Sequence, residues 1–136
     1  MNYLLDTNAV VALLRDKPTG VRERYREAEE SGHCLAISSV VLFELWYGVE
    51  KSSQVQGNTE RLRVLLSGDL DLLAFDDEDA QTAGRVRAVL EKSGTPIGAY
   101  DLLIAGQALR RGLTVVTANT SEFGRVPSLS WVDWTS

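Results

Sequence analysis

Short apolar runs of strand length recur along the chain at Tyr3–Leu5, Leu35–Ile37, Leu72–Phe75, Thr114–Thr117 and Ser130–Val132, each bounded by polar residues. Between them the apolar positions fall three and four apart. Val21, Tyr25 and Ala28 predict a mostly charged helix closed by Gly32. Ala80, Ala83, Val86 and Leu90 predict another, opened by Asp76 or Asp77 and followed by Gly94. Leu62, Leu65 and Leu66 belong to a third. Val40–Tyr47 is apolar on nearly every side, which predicts a buried helix, and Tyr100–Ala105 is a further strongly apolar helix. Strands alternating with helices imply βαβ units, so the expected class is α/β: a central parallel sheet of about five strands with helices on both faces. Lys51–Asn58 reads as the most loop-like interior segment and Pro96–Gly98 as a second break. Neither has the character of a domain boundary, and residues 1–136 are read as a single domain.

Three acids stand where acids are costly, and a fourth, Glu122, which alone reads as an ordinary surface residue, lies in a strand-end loop. Asp6 follows the first strand, and in open parallel sheets ligands bind outside the carboxyl ends of the strands; the competing reading is an N-cap for a helix beginning near Val10. Glu44 lies inside the apolar Val40–Tyr47 helix, where a carboxylate must be paired, protonated or bound to a cation. Asp101 repeats that pattern, with an N-cap again as the competing reading because Pro96 and Gly98 lie just upstream. Thr117-Ala118-Asn119-Thr120-Ser121-Glu122 places a hydroxyl, an amide and a carboxylate after the Thr114 strand. Converging acids raise one another's pKa unless a cation joins them. Mg²⁺ is the natural candidate, since it prefers oxygen ligands and keeps part of its water. Two such ions, about 4 Å apart, can activate a water and stabilise the leaving oxygen in phosphodiester hydrolysis.

Composition narrows the alternatives. The formal charge of −5 argues against a protein that grips nucleic acid by phosphate neutralisation alone. Two divalent ions on four acids would bring that total to about −1 and make the site attractive to phosphate. One His and one Cys, His33 and Cys34, cannot build a four-ligand zinc site, and as neighbours at a strand start they point to opposite faces, against thiol catalysis. The lone cysteine and the lack of a membrane-length apolar run lead to an expectation of a cytoplasmic protein with no membrane association. No P-loop, GxGxxG or GxSxG is present, and a phosphatase with an aspartyl nucleophile would want an acid where Asn8 stands. Trp46, Tyr47, Trp131 and Trp134 are read as packing residues before base-stacking ones. Arg22, Arg24 and Arg26, alternating with Glu23 and Glu27, read as a solvated face.

Taken in order, Leu4-Leu5-Asp6-Thr7-Asn8, Ser38 to Gly48, Pro96 to Ala105 and Val116 to Phe123 resemble a PIN domain, of the VapC type found as the toxin of bacterial toxin–antitoxin pairs. That resemblance implies a PIN-like three-layer α/β/α fold, a Mg²⁺-dependent endoribonuclease with Mn²⁺ as substitute, a homodimer, and inhibition by a VapB-like antitoxin within a larger complex. Carried over by position, Asp6, Glu44 and Asp101 match the family's metal-centred acids, and Thr117 its hydroxyl. Asn119 stands where some members have Asp, so Glu122 supplies the fourth carboxylate or the site works with three. The wording around Tyr47–Ser52 and Thr117–Phe123 resembles the branch that cuts transfer RNA, the initiator species included. Arg15, Lys17, Arg85, Arg87 and Arg125 are the candidates for a positive groove. Two rivals remain: a PIN-fold binding module without catalysis, and a metal-dependent DNA nuclease or phosphatase using the same acids.

Overall fold

The computed structural model describes residues 1–135. Strand β1 (Tyr3–Leu5) lies at the centre of the sheet, and Leu4 and Leu5 are fully buried, as expected of a strand covered on both faces. Helices α1 (Thr7–Arg15) and α2 (Thr19–Glu30) lead to β2 (Leu35–Ser38), which pairs parallel to β1 with Tyr3 opposite Leu35. Helices α3 (Ser39–Lys51) and α4 (Val55–Leu66) carry the chain to β3 (Asp71–Leu73) on the outer side of β2. After α5 (Asp77–Lys92) and α6 (Ala99–Arg111) the chain returns to the other side of β1 as β4 (Thr114–Val116), with Leu5 opposite Val116. The short α7 (Thr120–Phe123) precedes β5 (Trp131–Val132). The order is β3-β2-β1-β4-β5, all parallel, so the expected five-stranded α/β class is found.

This order has a functional consequence. From β1 the chain winds first to one side and later to the other, so β1 and β4 flank a switch point where the following loops diverge and leave a crevice. Asp6 leaves β1 and Thr117 leaves β4 at that place, and an inter-strand bond from the Asp6 amide to the Val116 carbonyl (3.1 Å) fixes their separation.

Three expectations are corrected. The segment Lys51–Asn58 is mostly helical: α3 runs to Lys51, the break is Ser52–Gln54, and α4 starts at Val55, where Ser52 Oγ closes one helix on the Val49 carbonyl and receives Asn58 Nδ2 from the next. The strand expected at Leu72–Phe75 is Asp71–Leu73, because Ala74 and Phe75 instead turn toward the cap of α5, whose Asp76 accepts from the Asp79 amide. Helix α3 is not buried all round. Val41, Leu45 and Val49 form its inner face at helical spacing, which leaves Phe43 (55% exposed) and Tyr47 (59% exposed) facing outward.

A polar clamp joins α5 and α6. Asp79 is buried in the first turn of α5, and Arg110 Nη1 (2.9 Å), Arg111 Nη2 (2.9 Å) and Gln107 Nε2 (3.1 Å) all donate to it. Burial works against its charged form, but the Arg111 and Arg110 guanidinium groups and the Asp76 backbone hold it well below the usual carboxylate range. Farther along the same pair, Gly106 lets the helices touch: a Cβ there would lie 2.6 Å from Ala83 Cα. Helix α6, which carries Asp101, is therefore rigidly seated.

Candidate active site

Asp6 satisfies both of its expected readings at once. It is the N-cap of α1, with Oδ1 accepting from the Ala9 amide at 2.8 Å, and it sits 3% exposed at the switch point. The Thr117 hydroxyl hydrogen-bonds it and also accepts from the Asn119 amide at 2.9 Å, so one buried oxygen ties β1's exit to β4's. Burial pushes the Asp6 carboxyl above its ordinary pKa, helped by the charges of Glu44 and Asp133 and opposed by the bonds from Thr117 and Ala9.

Asp101 does not cap its helix. Gly98 occupies the N-cap position, and Asp101 sits in the first turn of α6, half-buried, with Oδ2 accepting from Asn119 Nδ2 at 3.0 Å. Desolvation, followed by the neighbouring charges of Glu122 and Asp6, pushes its pKa up to about 6 despite the Asn119 bond. Glu122 moves the opposite way. The Gly98 amide donates to its Oε1, Asn119 Nδ2 donates to its Oε2 at 2.6 Å, and a further hydrogen bond links it to Asp101, so it is lowered. A proton shared between the two carboxyls therefore resides on Asp101. Asn119 bridges both acids through a single Nδ2, a job that an Asp at this position could not do. The backbone of Gly98 comes close enough that a Cβ there would lie 3.4 Å from Glu122 Oε1.

Glu44 enters from α3, where its Oε1 accepts from Thr7 Oγ1 at 2.6 Å; its charge acts on both Asp6 and Asp101. The six residues singled out from sequence, Asp6, Glu44, Asp101, Thr117, Asn119 and Glu122, are thus linked into one cluster drawn from α1, α3, α6 and the β4–α7 loop. Asp133, just past β5, was missed: it is close enough to raise the Asp6 pKa. Its signal was the motif that picked out Asp6, an acid immediately after a short strand. Thr7 and Gly98 were missed too, and only three-dimensional contact distinguishes them from ordinary loop and cap residues.

The donor set suits a hard cation. Every candidate side-chain donor is oxygen, two of the acids are raised by burial and by neighbouring negative charge, and among the described residues no positive side chain is hydrogen-bonded to Asp6, Glu44 or Asp101. Among the described residues no three His, Cys, Asp or Glu side chains already close around a single point. A Mg²⁺ ion takes one or two carboxylates and completes its shell with water and phosphate oxygens.

The groove candidates divide. Arg15 and Lys17 line a cavity beside Thr117 and Asp133, and Arg125 Nη1 donates to the Pro96 carbonyl (2.7 Å) at the edge of the Glu122 loop. Arg87 is paired with Glu91 on the solvent face of α5, and Arg85 lies on that helix without a contact to the cluster. His33 meets the N-terminal amine, 2.9 Å from Nδ1, and Cys34 is exposed, with neither near the acids.

A parallel-sheet fold with carboxylates gathered at its switch point places polar side chains where open α/β sheets bind their ligands. The chain belongs to the PIN domain family, whose model matches residues 3–129. It is 41% identical over 134 residues to the tRNA(fMet)-specific endonuclease VapC of Salmonella typhimurium, covering 98% of each chain. Among solved structures it resembles VapBC2 from Rickettsia felis bound to a DNA fragment from their promoter (TM-score 0.92, 36% identity, 98% of this chain and 99% of that one). It also resembles DNA-bound VapBC from Salmonella typhimurium (TM-score 0.88, 40% identity, 98% of each chain).

Proposed function

We propose that the chain is the VapC-type toxin of a toxin–antitoxin pair, an endoribonuclease that cuts transfer RNA with the help of Mg²⁺ or Mn²⁺. The observation that carries this reading is the placement of Asp101 between Asp6, Glu44 and Glu122, with its pKa raised to about 6 and, among the described residues, no cationic side chain acting to relieve it. Asp6 and Asp101 would hold the principal ion, with Glu44 completing the set. When bound, the ion lowers the pKa of a coordinated water and neutralises charge on the phosphate.

The chain's own residues supply the rest. Ala9 N–H and the Thr117 hydroxyl orient Asp6, so its free lone pairs face the crevice. Asn119 holds Asp101 and Glu122 in a fixed relation. Glu122, kept ionised by Gly98 and Asn119, completes the cluster or orients the attacking water. Hydrolysis by water leaves a 5′-phosphate and a 3′-hydroxyl.

Transfer RNA, the initiator species first, is favoured by the 41% identity to a tRNA(fMet)-specific endonuclease, and the proposed place of action is the cytoplasm. A VapB-like antitoxin is favoured by the likeness to VapBC complexes; an Arg of that partner inserted among the acids would replace the cation's charge and silence the site. Exposed Phe43, Tyr47 and Tyr100, the first and last with rings 5.8 Å apart, support a homodimer through α3 and α6 within the larger complex.

The deciding experiment is cleavage of total tRNA by the purified protein with Mg²⁺, beside EDTA and Asp101→Asn controls, with the termini of the products analysed. Loss of cleavage in both controls and 5′-phosphate ends are expected. A 2′,3′-cyclic phosphate product refutes the mechanism. Equal cleavage of DNA favours the broader nuclease, and inactivity on tRNA, ribosomal and messenger RNA favours the binding module.

A further inference from the structure

Beside the acid cluster, on the side of α1 away from Glu44, lies a cavity of about 220 Å³ that the catalytic reading leaves unused. We infer that this cavity receives one nucleobase of the RNA, at the nucleotide next to the cleaved phosphate. The inference rests on the ribonuclease reading and deepens it.

Four observations point to a base. The walls are apolar, with Val11 and Ala12 from α1 facing Val116 and the Trp134 indole, which is held edge-on against Tyr3 at 5.2 Å. Such a slot removes a flat, weakly hydrated ring from water. The cavity is continuous with the site: Thr117, which holds Asp6, and Asp133, which acts on it, both line it. Charge is complementary as well, because Arg15 and Lys17 stand exposed at the rim, and among the described residues neither forms an ion pair. In a chain of net charge −5, two free cations beside an acid cluster mark where phosphates on either side of a splayed base would lie. The exposed Asn8 amide at the opening carries both donor and acceptor groups for a base edge.

The test uses a short oligoribonucleotide that the protein cuts at one position, with an abasic residue placed in turn at each flanking nucleotide. At one position the missing base should lower kcat/KM by about tenfold or more, the scale of losing one stacked base. Val11→Phe fills the cavity and should lower cleavage of the intact oligonucleotide to a similar level, with no further loss from the abasic site. Ala118→Phe, at the mouth and exposed, should do the same without touching the core. An abasic penalty as large in both variants as in the wild type overturns the inference and leaves the ribonuclease reading standing; a cavity that takes a side chain of a protein partner gives this result. A separate arm follows the Val11 and Val116 methyl resonances of Asp101→Asn protein in EDTA. Shifts with the intact oligonucleotide but not its abasic copy support the pocket even if no RNA is cut, and absence of shifts with either refutes it.

Discussion

Replacing Asp101 by Asn should make the metal-free protein more stable while abolishing its activity. The folded chain holds the Asp101 carboxyl at about 6 against an ordinary 3.8. At full burial that difference corresponds to about 3 kcal/mol of excess cost for the charged form; the group is half-buried, so solvent screening reduces it to about 1–2 kcal/mol. The sign follows from proton uptake. Between about pH 4 and 6 the folded state binds more protons at this position than the unfolded state, so its contribution is fully present at low pH and is lost as pH rises through 6. Asp101→Asn removes this loss. The amide can still accept from Asn119 and can donate to Glu122, the role the shared proton plays in the wild type. In EDTA at pH 7.5 the variant should melt about 3–8 °C higher than the wild type, with the difference vanishing near pH 4. Millimolar Mg²⁺ should raise the wild-type Tm at pH 7.5 by binding the native state, and should leave the variant nearly unmoved. A variant no more stable than wild type at pH 7.5, or an equal Mg²⁺ response in both, would refute this account of the cluster.

Further outcomes follow from other contacts. Asn119→Ala removes the one donor that serves both Asp101 and Glu122, so kcat/KM should fall about a hundredfold, and the acid limb of the pH–rate profile should move upward as Asp101 loses its stabilising bond. Asp79→Ala strands Arg110 and Arg111 and should destabilise the fold by about 3 kcal/mol in chemical denaturation, with cleavage retained at low temperature. Since Asp79 is lowered, its contribution is present above about pH 4 and is lost on acidification; acid denaturation of the wild type should therefore be steeper than that of the variant. Gly106→Ala drives a methyl into Ala83 and should cost about 1–3 kcal/mol; because α6 carries Asp101, kcat should fall while KM stays nearly constant.

The candidate site residues were legible because each acid broke a local rule: Glu44 and Asp101 interrupt apolar helices and Asp6 terminates a buried strand. The strand–helix alternation gave the sheet for a similar reason, since parallel strands such as Leu4–Leu5 and Val115–Val116 read as continuous apolar runs. What escaped were features with no period. The role of Asn119 as a bridge, the Gly98 amide under Glu122 and the Asp79 clamp are all made between residues distant in sequence, with side chains common in any loop or helix terminus. The inner and outer faces of α3 could not be separated either, because its outward positions, Phe43 and Tyr47, are as apolar as its inward ones.

The pairing of β1 with β4 also governs when the protein can become toxic. Asp6, Glu44 and Asp101 all precede β4, but Thr117, which bonds Asp6, and Asn119, which bonds Asp101, follow it. A growing chain that has not yet docked β4 carries three acids and no site, so a ribosome making this protein stays out of reach of the unfinished product. The same order ties the proposed site to folding, since the pairing that spans most of the chain, β1 with β4, is also the one that brings Thr117 and Asn119 to the acids.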